Sequence, residues 1–233
     1  MNEKFFVEIN GLKQGMFLQS ENTENPVLLY LHGGPGSPEI AFAERLTTGL
    51  EKLFTVCWWE QRGSGISYNR KITPKEMTLE QMVSDTIEVT HYLRNRFGKE
   101  KIYIMGHSWG SLLGVMTVKQ QPELFHAYVG IGQIAQQMRS ERLAYTYMSM
   151  IQMDLIKQVP CLQVPVYIFQ GRYDYQASYV VAKDFITALK APIKGFYTFE
   201  NTAHSPCFEE PEKMCNILRD DVLQKQVNLS DKI

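Results

Sequence analysis

Apolar residues fall along this chain in short dense runs separated by longer mixed stretches. Pro26–Leu31 (PVLLYL) and Phe54–Glu60 (FTVCWWE) are almost unbroken, as expected of strands covered on both faces. Ile102–Met105, Ala127–Ile131, Val164–Gln170 and Gly195–Glu200 predict further strands of the same kind. Ahead of them, Lys4–Ile9 and Gln14–Gln19 flank Asn10-Gly11, the dipeptide that favours a two-residue hairpin. The mixed stretches predict helices over Glu39–Leu50, from the Thr78/Gln81 capping pair to Phe97, over Ala177–Leu189 and over Pro211–Gln226. In the long helix Met82, Ile87, Val89, Tyr92, Leu93 and Phe97 share an apolar face, and Gly98 ends it. Pro211 suits a first helical turn. An antiparallel start followed by strand–helix alternation predicts an α/β domain with a mostly parallel central sheet and helices on both faces. With 233 residues, no internal repeat and no low-complexity linker, residues 1–233 are expected to form one core domain.

The stretch Lys101–Gly114 changes the picture from fold to chemistry. Its strand runs into Gly106-His107-Ser108-Trp109-Gly110, and a helical pattern opens directly afterwards. Gly-x-Ser-x-Gly alone is a weak signal, but between a strand and a helix it reads as a nucleophile elbow. Small residues are needed at 106 and 110 because strand and helix crowd together there, and the serine takes strained backbone angles.

A serine hydroxyl needs a base, and the base needs an orienting acid. Ligands of such sheets gather at the carboxyl ends of the strands, so the loops behind strands are where partners belong. Asp174 follows the Val164–Gln170 strand, and His204 follows the Gly195–Glu200 strand. The order Ser108, Asp174, His204 is that of the elbow architecture. The plainer alternatives are a turn-forming or capping Asp174 and a surface-loop His204. His91 and His126 read as structural, His107 as packing beneath the elbow, and Asp154, Asp184, Asp220 and Asp221 as solvated or capping charges. His32-Gly33-Gly34-Pro35-Gly36 lets the backbone approach a substrate closely, with His32 bonding inside the loop. The N–H groups of Gly34 and Trp109 are the candidate oxyanion donors, each worth roughly 2.7–4 kcal/mol of transition-state stabilisation. Gly33 and Glu60 are candidate substrate contacts. A phosphate-binding reading of the same glycine loop lacks the downstream lysine of a P-loop.

These motifs together resemble the proline iminopeptidase-type α/β-hydrolases: HGGPG at 32–36, EQRGSGIS at 60–67, GHSWGS at 106–111, GRYD at 171–174 and AHSP at 203–206. The resemblance implies a serine hydrolase that removes an N-terminal residue, often proline, from short peptides. The chain departs from it twice. Glu60 stands where an aspartate is commoner, and the large helical cap inserted after the sixth strand in such enzymes is reduced to Gln137–Gln158. That segment predicts one helix with Leu143, Tyr147, Met148, Ile151, Leu155 and Ile156 on its apolar face. No counterpart exists for the cap acids that hold a substrate's α-amino group. An unroofed cleft favours a carboxylesterase or lactonase as the alternative activity, or a catalytically idle scaffold. Exposed Met148, Met150 and Met153 predict association into a homo-oligomer through 137–158.

Charge and composition narrow the rest. Hydrophobic residues make up 44%, charged residues 21%, and the net charge is −1 with no basic block, which argues against nucleic acid or acidic membrane as partners. No apolar run reaches the roughly 20 residues that span a bilayer, and the polar N-terminus does not resemble a signal peptide. Cys57, Cys161, Cys207 and Cys215 lack metal-type spacing and read as reduced thiols of a cytoplasmic protein. Cys57 is expected in the core, and Cys207, near His204, is a candidate modification site. The expected substrate is a small peptide or ester, with no metal and no cofactor.

Overall fold

Side chains that alternate along the central strands fall into two apolar cores, one on each face of a single sheet. Val27, Leu29 and Leu31 face one core with Cys57, Trp59, Ile102 and Ile104. Leu28 and Tyr30 face the other with Val56, Trp58, Tyr103 and Met105. Burial on both faces is why these segments read as continuous apolar runs rather than as alternating ones.

The computed structural model describes residues 1–45, 48–73, 76–136 and 154–232. They form β1 (Asn2–Ile9), β2 (Leu12–Gln19), β3 (Val27–Leu31), β4 (Thr55–Trp59), β5 (Ile102–His107), β6 (Phe125–Ile131), β7 (Val166–Gly171) and β8 (Lys194–Phe199). The spatial order is β1-β2-β4-β3-β5-β6-β7-β8 in one 8-stranded sheet. β1–β2 and β2–β4 pair antiparallel, and every later pairing is parallel. Asn10 (φ 46°) and Gly11 (φ 75°) make the hairpin turn, both left-handed as such a turn requires.

The helices are α1 (Ile40–Ala43), α2 (Leu50–Leu53), α3 (Leu79–Phe97), α4 (Trp109–Gln120), α5 (Leu155–Gln158), α6 (Tyr179–Ala188), α7 (Pro206–Glu209) and α8 (Pro211–Ile217). Helices α3, α4 and α6 cover one face of the sheet; α1, α2 and α8 cover the other. This is the α/β architecture the sequence implies. Thr78 caps α3 by accepting from the Gln81 N–H at 3.2 Å, and Gly98 (φ 59°) ends it. The Gln81 side chain does not reach back to the cap but donates to Asp85 Oδ1 at 2.9 Å.

Several expectations are corrected. Glu39–Leu50 is not one helix: α1 stops at Ala43 and α2 starts after Gly49, whose φ of 78° breaks a right-handed helix. The last helix ends at Ile217 and continues as a wider turn over Leu218–Val222. Asp221 is not a solvated charge. It is fully buried and accepts from the Tyr197 hydroxyl at 2.9 Å and the N–H groups of Asn228 and Leu229 at 3.0 and 2.9 Å. Most of the segment expected as a reduced cap, residues 137–153 with Met148, Met150 and Met153, lies outside the described residues. Its end forms α5, with Asp154 accepting from the Lys157 N–H and Leu155 buried.

A buried ion pair ties the loop after β4 to α3. Arg62 donates through Nε to Asp85 Oδ2 at 2.7 Å and through Nη2 to Oδ1 at 2.9 Å. The same carboxylate accepts from Asn10 at 2.8 Å and Gln14 at 2.9 Å. Asp85→Ala would leave the Arg62 charge buried without its counterion, and we expect a loss of about 3–5 kcal/mol in chemical denaturation. A loss below about 1 kcal/mol would mean the guanidinium is served by water rather than by this carboxylate.

Candidate active site

Strand β5 delivers the elbow. Ser108 sits at φ 52° and ψ −117° between β5 and α4, a conformation non-glycine residues seldom adopt. Three bonds hold it: the Ser108 N–H donates to Ile131 O at 2.8 Å, while Ser108 O accepts from the Ser111 N–H at 2.8 Å and the Ser111 hydroxyl at 2.5 Å. A Cβ at Gly106 would lie 2.1 Å from Gly110 O, and one at Gly110 would lie 2.1 Å from Leu31 O. Backbone therefore packs directly on backbone at both flanks.

Asp174 and His204 come from neighbouring loops that are laced together. The Tyr173 N–H donates to Thr202 O at 3.1 Å, and a Cβ at Gly171 would meet Ala203 O at 1.8 Å. Asp174 Oδ1 accepts from the N–H groups of Gln176 and Ala177 at 2.9 and 2.8 Å. Its Oδ2 accepts from Gln170 Nε2 at 2.9 Å and lies 2.9 Å from His204 Nδ1. The turn-forming and histidine-orienting readings of Asp174 thus hold together, one oxygen for each. His204 Nε2 is buried and has no partner among the described residues, so the Ser108 hydroxyl does not donate to it in this arrangement. Such bonds are often long in unliganded sites and tighten on binding. Gly132 (φ 56°), just past β6, packs against both loops: a Cβ there would lie 3.0 Å from His204 Cε1 and 3.2 Å from Asp174 Oδ2.

The glycine loop after β3 lies on the other side of the serine. A Cβ at Gly33 would sit 3.3 Å from Ser108 Cβ. The Gly33 N–H donates to Glu39 Oε1 at 3.3 Å, whereas no hydrogen bond from the Gly34 N–H is found among the described residues. Trp109 is the first residue of α4, where an N–H has no intrahelical acceptor. The Trp109 indole donates to Gln61 Oε1 at 3.2 Å, and Gln61 Nε2 donates to His32 O at 3.0 Å, so Gln61 bridges the elbow and the glycine loop. His32 bonds inside its loop as expected: Nδ1 lies 2.8 Å from Gly33 O and Nε2 accepts from the Gln61 N–H at 3.1 Å. Burial lowers its pKa.

Glu60 is buried. Its Oε2 accepts from the Ile66 N–H, and its carboxylate fills the space beside Gly65, so it braces its own loop. Burial raises its pKa against that bond. Cys207 is fully buried with Sγ 3.6 Å from the Tyr30 hydroxyl, and burial pushes its thiol far above the usual range, which removes the modification reading. Cys57 is core, its thiol pushed up to about 12 by burial.

Two residues carry structure here that sequence reasoning missed. Glu39, expected to open a helix, turns inward to His107; Gln61 was read only as part of a motif. A cavity of about 340 Å³ opens beside Glu39, lined also by Phe42, His107, Ser205 and Phe208. A larger one, about 520 Å³ between Gly49 and Arg219, touches none of the site residues. Among the described residues no cluster of three His, Cys, Asp or Glu side chains could hold a metal ion, and no helix is long and apolar enough to cross a membrane.

Residues 26–149 match the family model described as alpha/beta hydrolase fold. A probable aminopeptidase of Bacillus subtilis (strain 168), YbaC, is 28% identical over 297 aligned positions, covering 91% of this chain and 93% of that protein. That alignment is longer than the 233-residue chain, so the relative carries residues this chain lacks. A proline iminopeptidase of Clostridioides difficile (strain 630) is 29% identical over 53% of this chain and 41% of its own length. The crystal structure of proline iminopeptidase from Mycobacterium smegmatis superposes with a TM-score of 0.81 over 95% of this chain and 98% of that one, at 16% identity. At that identity the likeness speaks for the fold.

Gly132 supplies a local test. Gly132→Ala would force a left-handed alanine, at about 1–2 kcal/mol, and press on the His204 ring. We expect a native circular dichroism spectrum and an unfolding temperature lowered by roughly 2–8 °C. An unchanged unfolding temperature would show that this turn relaxes freely.

Proposed function

Since this chain belongs to the alpha/beta hydrolase fold family and is a hydrolase, we propose that it acts by acyl transfer through Ser108, His204 and Asp174. The observation that carries the reading is the 2.9 Å contact between His204 Nδ1 and Asp174 Oδ2, which leaves a buried, unpartnered Nε2 to serve as base. His204 Nε2 takes the Ser108 proton as Oγ attacks an amide or ester carbonyl. The N–H groups of Trp109 and Gly34 receive the oxyanion, with Gly33 alongside the bound substrate. Asp174 keeps the Nδ1–H tautomer and stabilises the imidazolium. His204 then protonates the leaving amine or alcohol, and water attacks the acyl-serine by the reverse path.

Aminopeptidase action on short peptides is the leading substrate reading, supported by the likeness to YbaC along nearly the whole chain. The short connection between β6 and β7, residues 132–165, favours a second: a carboxylesterase or lactonase with an open cleft. Residues 1–233 are read as one core domain in which 137–158 takes the place of a cap.

A fluorophosphonate probe followed by intact mass is expected to add one label at Ser108, absent in Ser108→Ala. Rates on proline p-nitroanilide and p-nitrophenyl acetate then separate the two substrates, ester turnover without amide turnover selecting the second. An unlabelled serine would leave the idle-scaffold reading instead. For the segment at 137–158 we expect a homo-oligomer in light scattering; a monomer at high concentration would exclude it.

A further inference from the structure

The residue before the nucleophile carries a charge relay of its own. His107 Nδ1 lies 2.8 Å from Glu39 Oε1, and His107 Nε2 lies 2.9 Å from the backbone carbonyl oxygen of His204. The Ser205 hydroxyl is also within 3.5 Å of Nε2. Both side chains of the pair are almost wholly buried, at 8% exposure each. A carbonyl oxygen can only accept. Glu39 Oε1 also faces a donor, the Gly33 N–H, and so is placed as an accepting carboxylate oxygen. With Glu39 ionised, as its lowered pKa favours, a neutral imidazole has one N–H and would leave one of its two contacts as lone pair against lone pair. Only the imidazolium satisfies both, and it neutralises the buried carboxylate in the same step.

His32 provides an internal contrast one strand away. Its Nε2 faces the Gln61 N–H and the Ser64 hydroxyl, its Nδ1 faces Gly33 O, and burial lowers its pKa. The two buried histidines of this site therefore differ in their neighbours, and only His107 has a carboxylate oxygen at hydrogen-bond distance.

We propose that His107 is a positioning residue, a buried cation anchored by Glu39 whose Nε2–H holds the His204 carbonyl and thereby sets where the base stands over Ser108. This rests on the reading of His204 as base. The His107 and His204 rings lie 5.0 Å apart, so a shift of the one is felt directly by the other. The groups facing His107 are Glu39 from the loop after β3, His204 from the loop after β8, Asp174 from the loop after β7 and His32 at the end of β3. Burial opposes the cation, but bonding to Glu39, its charge, the His204 carbonyl and the Asp174 charge together raise the His107 pKa. Glu39 shifts the other way: burial raises it, and the His107 contacts bring it below its usual range. The sign follows. A raised histidine pKa means the contact is complete at low pH and lost as pH rises through the folded value, so His107 governs the alkaline limb of activity, while the base, which must be unprotonated, governs the acid limb.

The test combines the wild type with two variants. Ring-nitrogen NMR of the 15N-histidine-labelled protein should show one of its five histidines doubly protonated at a pH above the ordinary histidine value of about 6.5. The fluorophosphonate labelling rate should fall on an alkaline limb that Glu39→Gln moves down by at least about one unit. His107→Gln should abolish that limb and slow labelling roughly 10- to 100-fold, with Ser108 still labelled to completion and the KM for an ester little changed. Wild-type labelling with both variants matching its rate and profile would overturn the positioning role and leave the triad standing. No labelling of the wild type would overturn the triad and the positioning role together. Should a variant not fold, the wild-type spectrum decides: no doubly protonated ring above that pH overturns the proposal.

Discussion

Everything at this site depends on a contact between backbones that no side chain could enter. The elbow glycines bring the start of α4 against β5 and the end of β3 so closely that an added methyl group at 106 or 110 would overlap a carbonyl oxygen. That approach accompanies the strained angles of Ser108 and brings Gly33 against the serine Cβ. The cost of the conformation, of order 1–3 kcal/mol, is offset by α4 itself, whose Leu112, Leu113, Val115 and Val118 are fully buried. A nearly all-apolar helix is what such an elbow needs behind it.

The polar groups around the elbow divide into two layers with different tasks. Asp174 spends one oxygen on its own turn and the other on His204, so one carboxylate fixes both the loop and the ring. Gln61 links the Trp109 indole to the His32 carbonyl, tying the start of α4 to the glycine loop rather than to the core. Glu39 and His107 lie beside them, almost wholly buried, on the wall of the 340 Å³ cavity. The site is held by charge and by amides.

Much of this was legible in the sequence because it follows from chain-local physics. The strands could be read because burial on both faces demands unbroken apolar runs, and the hairpin because Asn10-Gly11 tolerates left-handed angles. The strained turn at Ser108 and the meeting of the Asp174 and His204 loops could be read because each follows its own strand. Glu39 could not, since a carboxylate after Pro38 looks like any first-turn acid and its partner is 68 residues away. Asp221 was misjudged for the same reason: its helical setting hid a long-range partner in Tyr197. Glu60 shows a motif position whose local task, accepting from the Ile66 N–H, leaves no trace in the motif itself. Long-range polar pairs leave no periodic trace; apolar faces do.

The connection after β6 has an implication for how such chains can vary. Gln136 and Asp154 form an antiparallel bridge, and the Leu155 N–H donates to Ala135 O at 2.8 Å, so the two ends of the intervening segment are clasped side by side at the rim of the sheet. Closing a loop across a preformed clasp depends only weakly on its length, about 0.6 kcal/mol for each doubling. The clasp therefore works as a socket: chain can be added or removed between its jaws without re-registering β6 or β7.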